Sequence, residues 1–142
     1  MLYTPLTKEA MKLCFEAHKE QKDKSGLPYI HHPLHLAEQM TDEDTTIVAL
    51  LHDVMEDADV TPEQLAERGF GQHIIDALLL MTHRDGVDYL DYVSKIKDNP
   101  IAKAVKLADL AHNSDTTRLD VVTAKDLERV DTYNQAKALL NE

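Results

Sequence analysis

A single compact all-α bundle of about seven helices is the fold that this sequence predicts, and three observations carry the prediction. Glycine and proline are scarce, with four and five in 142 residues. No alternating apolar–polar run of the kind a half-buried strand needs stands out. Helix-start signals, by contrast, recur at short intervals along the chain. The length fits one domain with one core, residues 1–142, and no repeat or low-complexity linker divides it.

The elements follow in order. Thr4-Pro5 opens a first helix with Leu6, Ala10, Leu13, Cys14 and Ala17 on one face, and "KDKSGLPY" ends it as a polar loop. Pro33, expected at the first helical position, starts "PLHLAEQM". Asp44 or Thr45 starts "TIVALLHDVMED", apolar enough to be a central helix. Thr61-Pro62-Glu63-Gln64 combines a cap residue, a proline and the Gln of a capping box, and Gly69 ends that short helix. Next come "GQHIIDALLLMTH", the loop "RDG", and a helix with Leu90, Val93 and Ile96 on one face. Asn99-Pro100 punctuates the chain before "IAKAVKLADLAHN", and Thr123 with Asp126 caps the last helix.

Composition narrows the function. Twenty-six acidic against 15 basic residues give a formal charge of -11. Such a surface argues against broad nucleic-acid or membrane contact, which needs a basic face, but it admits a small anionic ligand where a metal ion and a few cations dominate locally. No apolar run approaches the ~20 residues that span a bilayer, and the start "MLYTPLTKEA" lacks the regions of a signal peptide. The one cysteine, Cys14, provides no disulfide framework, so a cytoplasmic setting is expected, with Cys14 as a buried apolar residue. The sequence sets no oligomeric state.

"LLHDVMED" is the strongest chemical signal, with His52 and Asp53 adjacent and Glu56 and Asp57 following. Adjacent helical residues diverge by about 100°, yet they can converge on an ion lying between them. On one continuous helix Asp53, Glu56 and Asp57 share a face. Crowding three acids beside "IVALL" costs hydration and repulsion that a cation offsets. The plainer reading is a solvated acidic helix end running on to Asp59. A second segment, "VKLADLAHN", sets Asp109 in an apolar helix, with His112 and Asn113 one turn later. Asp109 reads equally well as a ligand or as a partly exposed residue paired with Lys106 or Arg118.

"IHHPLH" holds three of the eight histidines. His31 and His35 have helical pair spacing, but a helix that begins at Pro33 leaves His31 outside it and undoes the pair. Spacing then favours His32 only modestly.

"KSGLPYIHHPLHLA", "ALLHDVMED" and "AVKLADLAHN", in that order, resemble the hydrolase domain of the RelA/SpoT alarmone enzymes and their small relatives, within the HD superfamily of metal-dependent phosphohydrolases. The resemblance implies an HD-domain bundle that binds one Mn²⁺ through His32, His52, Asp53 and Asp109. Fe²⁺ or Mg²⁺ would suit the same ligands. It implies that Glu56 and Asp57 position and activate the attacking water, and that Asn113 and Thr116 contact a nucleoside. Lys24, Arg84, Arg129 and Tyr133 correspond to positions that hold phosphates and base. Read without the family, Arg129 is a surface arginine and Tyr133 a core tyrosine. Two positions depart from the family pattern. Asp23 stands where an arginine holds the guanine base, and Glu20 stands where a glycine is expected. The implied activity is removal of pyrophosphate from the 3′ oxygen of guanosine tetraphosphate, without alarmone synthesis. Two rivals remain: a phosphatase acting on another nucleotide, such as the 2′-phosphate of NADPH, and a non-catalytic nucleotide-binding module.

Overall fold

A computed structural model describes residues 1–142 as a bundle of α-helices without strands. The helices are α1 (Pro5–His18), α2 (His31–Glu38), α3 (Glu43–Leu51), the single turn α4 (Val54–Asp57), α5 (Pro62–Glu67), α6 (Gln72–Met81), α7 (Tyr89–Ile96), α8 (Pro100–Asn113) and α9 (Ala124–Leu140). A 3₁₀ turn, Thr116–Arg118, lies between α8 and α9. None of these helices is long and apolar enough to cross a membrane.

Most starts are set by the caps that the sequence advertises. Thr4, Thr61 and Thr123 each close a capping box, and the Asn99 side chain accepts from the Ala102 amide. Each such cap contributes about 0.5–2 kcal/mol. Gly69, at φ +95°, takes the left-handed conformation that ends α5. α3 is buried on every side from Thr45 to Leu51, and α1, α2, α6 and α8 pack around it. α8 is the second hub and also touches α7 and α9. Cys14 is fully buried on α1, where burial pushes its thiol up to about 12.

Three boundaries differ from expectation. α2 begins at His31, so His31 lies inside the helix and Pro33 is its third residue. A proline anywhere in the first turn loses no intrahelical bond, because those amides have no partner within the helix. α3 begins at Glu43, capped by Asp42, whose carboxylate accepts from the Thr45 amide at 2.7 Å. The expected helix through "TIVALLHDVMED" breaks at His52–Asp53, where Asp53 sits at φ -110°, ψ 1°. His52 Nδ1 lies 2.8 Å from Ala49 O, so the imidazole bonds to a carbonyl of the turn that α4 would have continued.

The loop between α1 and α2 is folded back on itself. The Asp23 amide donates to Leu27 O and the Tyr29 amide to Gln21 O, both at 2.8 Å, around Gly26 at φ +80°. This places Tyr29 beside Asp53 at the end of α3 and Asp23 beside Arg118 after α8.

Candidate metal centre

Three helices bring polar side chains together beneath a cavity of about 370 Å³. His32 comes from the first turn of α2, His52 from the end of α3 and Asp109 from α8. All three are buried, and one ligand atom from each lies within 4.8 Å of the others. His32 Nε2 is 2.8 Å from Asp109 Oδ1, and His52 Nε2 is 3.7 Å from the same oxygen. Asp53, at the break between α3 and α4, places Oδ2 3.2 Å from His52 Nε2. The break therefore lets two neighbours in sequence aim at one point.

His52 tests whether these groups suit a cation. A carbonyl can only accept, so His52 Nδ1 carries the hydrogen opposite Ala49 O. In the neutral ring Nε2 then bears a lone pair. It is buried with no hydrogen-bond partner and faces two carboxylates. Lone pairs turned on one another repel, whereas a divalent cation among them satisfies every one. Two imidazoles and two carboxylates also make a mixed nitrogen and oxygen set of the kind that divalent first-row ions accept. The residues fit the ion.

The two aspartates are pushed in opposite directions. Burial works to raise Asp109, but the Lys106 ammonium, 2.9 Å from Oδ2, and the histidine contacts outweigh it and hold the carboxyl well below the usual range. Lys106 is itself buried, with the rings of Tyr89 and Tyr92 centred 5.5 Å and 5.2 Å from its Nζ. Burial would lower this ammonium, yet Asp109 and the tyrosines raise it well above the ordinary lysine value. Asn113 Nδ2 donates to Asp109 Oδ1 at 3.0 Å. Asp53 is raised well above the usual range by loss of water, reinforced by the charges of Asp109, Asp57 and Glu56. The Tyr29 hydroxyl donates to Asp53 Oδ2. Carboxyls driven apart in this way mark sites of acid–base or metal chemistry.

Glu56 and Asp57 are exposed, and each is tied to a different element. Glu56 Oε1 accepts from the His83 amide in the loop after α6. Asp57 Oδ2 accepts from Gln21 Nε2 at 3.1 Å, and Gln21 Oε1 lies 2.9 Å from Nδ1 of the buried His18. Both acids line the cavity, together with His32 and Asp53. His52 and Asp109 are buried and are not among the lining residues.

Of the expected substrate contacts, Lys24, Asn113, Arg129 and Tyr133 also line the cavity. Arg129 and Tyr133 sit one turn apart on α9, and Arg129 Nη1 donates to Asp126 at 3.0 Å. Thr116 and Arg84 are not among the lining residues. Thr116 begins the 3₁₀ turn, and Arg84 is exposed beside His83. His31 and His35 are exposed, although the His35 ring lies 4.2 Å from that of His112. Burial, followed by the charges of Arg118, His32 and His35, lowers His112 to about 4.

Tyr29 and Gln21 escape sequence reasoning, and Lys106 and Arg118 enter it only as possible partners for Asp109. Tyr29 and Gln21 lie in a loop whose folding no local pattern reveals. Lys106 does pair with Asp109, but both are buried rather than partly exposed. Arg118 is expected only as a possible partner for Asp109. It pairs instead with Asp23, Nη2 to Oδ2 at 3.0 Å, and both line the cavity.

The chain is similar to several proteins of known name. A guanosine-3′,5′-bis(diphosphate) 3′-pyrophosphohydrolase of Aquifex aeolicus is 49% identical over 69 residues, covering 46% of this chain and 10% of that protein. The bifunctional (p)ppGpp synthase/hydrolase SpoT of Escherichia coli is 33% identical over 131 residues, covering 77% and 18%. A probable GTP pyrophosphokinase of Mycobacterium leprae is 32% identical over 126 residues, covering 80% and 16%. This chain thus spans less than a fifth of each of these relatives. A solved structure of a metazoan ortholog of SpoT, described as hydrolysing ppGpp, superposes with a TM-score of 0.73 at 24% identity. That match covers 99% of this chain and 85% of the other, and it establishes a shared fold. The family model of the HD domain matches residues 10–118, which take in the whole His32, His52, Asp53 and Asp109 centre, and the chain belongs to the HD-domain family.

Proposed function

We propose that residues 1–142 form one metal-dependent phosphohydrolase domain that cleaves guanosine 3′,5′-bis(diphosphate) with water to GDP and pyrophosphate. One observation carries the hydrolase reading: a buried, unpartnered His52 Nε2 facing two carboxylates, next to the His32 and Asp53 that line an open cavity. The names of the relatives at 49% and 33% identity support the substrate.

His32, His52, Asp53 and Asp109 would hold the ion, with Mn²⁺ as the proposed metal. A divalent cation there supplies Lewis acidity towards a phosphoryl oxygen and towards water. Glu56 and Asp57 orient the attacking water and take its proton, and their tethers to the His83 amide and Gln21 fix the carboxylates at the cavity wall. Lys24 and Arg129 offset phosphate charge that the acidic surface otherwise repels. Asn113 and Tyr133 bound the nucleoside, while Thr116 and Arg84 meet parts of the substrate that extend past the lining.

The test is a substrate panel on chelator-treated protein with Mn²⁺, Fe²⁺ or Mg²⁺ added back. Pyrophosphate and GDP should appear from guanosine tetraphosphate, with Mn²⁺ the most effective ion. No pyrophosphate, under conditions where an authentic alarmone hydrolase turns over, sinks the substrate assignment. Asp23 favours one alternative, because its carboxylate occupies the cavity wall in partnership with Arg118. An enzyme selecting against guanine would instead release phosphate from NADPH in the same panel. Tight nucleotide binding without any turnover would point to a binding module.

A further inference from the structure

His112 has no part in the hydrolysis proposed for this site, yet it touches a metal-ligand candidate directly. Its Nδ1 lies 2.7 Å from His32 Nδ1. The ring planes differ by 7° and the ring centres are 5.0 Å apart. Two imidazoles stacked face to face cannot bring nitrogens this close. The rings therefore meet edge to edge in nearly one plane, which is the geometry of an N–H···N hydrogen bond. One nitrogen must donate and the other accept. His32 Nε2 is turned towards Asp109 and the His52 cluster, so as a ligand it must be bare. The ring hydrogen of His32 then sits on Nδ1.

We propose that His112 is a positioning residue of the metal centre, whose Nδ1 accepts the hydrogen of His32 Nδ1 and so fixes the tautomer and aim of His32 Nε2. This rests on the metal reading of His32, His52, Asp53 and Asp109. Ligand histidines are commonly held through their second nitrogen, usually by a carboxylate or a carbonyl. Here a neutral imidazole takes that place and adds no charge to a centre already rich in carboxylates. His112 is well held for the task. It lies one turn from Asp109 on α8, the His35 ring packs 4.2 Å away, and its carbonyl accepts from Arg118 Nη1 at 3.1 Å.

The experiment titrates Mn²⁺ into the metal-free full chain by calorimetry, without substrate. His112→Leu should weaken binding about 10–100-fold while circular dichroism shows an unchanged helix content. His112→Asn, whose Oδ1 replaces Nδ1 as an acceptor, should bind within a few-fold of the parent. Unchanged affinity in His112→Leu overturns the proposal, and so does His112→Asn binding as weakly as His112→Leu, since packing of the ring would then explain the loss. Nitrogen-15 spectra of the Zn²⁺-loaded chain give a second reading. His112 with a bare Nδ1 and a protonated Nε2 supports the role, and the reverse tautomer refutes it. A parent chain that binds no Mn²⁺ removes the metal centre itself, an outcome distinct from a parent that binds tightly alongside an equally tight His112→Leu.

Discussion

At the base of the cavity His32, His52, Lys106 and Asp109 are buried, with Lys106 and Asp109 paired one turn apart, whereas at the mouth the charges are hydrated and sit among neighbours of both signs. His32, His52, Lys106 and Asp109 expose 3–7% of their surface. Glu56, Asp57, Lys24 and Arg129 are exposed or half-exposed. A buried pair has lost its hydration and is costly to break, while an exposed pair is screened and contributes little. The base thus determines whether the site exists and what it costs the fold. The mouth determines what happens to a ligand once it arrives. Substitutions at the base should therefore be visible in stability without any substrate, and those at the mouth only in kinetics.

The largest expected effect tests the base. Lys106→Met leaves Asp109 buried with its principal counter-charge gone, a change that costs about 3–5 kcal/mol in comparable buried pairs. Urea unfolding of the metal-free chain measures it. Saturating divalent ion should return part of the loss, because an ion that binds only the folded state adds stability by mass action. A loss under about 1 kcal/mol would mean that Lys106 behaves as a surface charge, and the contrast between base and mouth would collapse at its strongest point.

Glu56→Gln makes the complementary test at the mouth. Glutamine keeps an oxygen to accept from the His83 amide but cannot take a proton. Turnover should fall about a hundredfold, with Mn²⁺ affinity and urea midpoint unchanged. A shifted midpoint would assign Glu56 to the structural base instead.

The same division separates what is legible in the amino-acid sequence from what is not. Caps are local, so Thr4, Thr61, Asn99 and Thr123 disclose their helices through the residues next to them. The apolar α3 is equally plain. The break at His52–Asp53 is not, because nothing in "LLHDVMED" forbids a helix. It emerges only from the three-dimensional arrangement, with the His52 ring turned back to Ala49 O and Asp53 aimed at its neighbour. Family resemblance supplies all four ligand candidates, whereas spacing alone leaves Asp109 undecided and His32 only modestly favoured. Lys106, Tyr29 and Gln21 act across 3 to 36 residues of sequence, and the two longer links depend on a loop fold that no periodicity encodes.

A smaller effect comes from pH, at a histidine outside the metal cluster. His18 is buried, and its pKa lies below the ordinary histidine value of 6.5, first because burial disfavours the charged ring. A depressed folded-state pKa means that the stability is present above about 6.5 and is lost as pH falls from there towards the folded value. His18 should therefore cost the metal-free chain stability as pH falls from about 7, against the opposite contribution of Asp53, whose raised pKa favours the folded state on acidification. His32 and His112 are shifted in the same direction, so His18→Leu should flatten the slope without abolishing it. An unaltered slope would show that His18 is neutral at no cost and merely fills space beneath Gln21.

The smallest effect is expected where the mouth meets the α1–α2 loop. Asp23 uses Oδ1 to accept from the Ser25 amide, the Ser25 hydroxyl and the Leu27 amide, and Oδ2 to hold Arg118. These donors overcome the effect of burial and lower the Asp23 pKa, so the carboxylate is charged and the guanidinium opposite it is already paired. An arginine so occupied offers a phosphate little. Asp23→Asn keeps the carbonyl that organises the loop but removes the charge, and Arg118 is released towards the cavity. The pair is mostly covered but opens onto the cavity, and pairs reached by solvent are worth about 0.2–1 kcal/mol, so KM for guanosine tetraphosphate should fall only a few-fold. Turnover should be unchanged, and KM should rise more steeply with salt than in the parent as the newly available charge is screened. A KM that does not move would place Arg118 beyond the reach of the substrate and leave Asp23 as a loop fastener. A KM that rises would show that the pair, held as it stands, is what the ligand recognises.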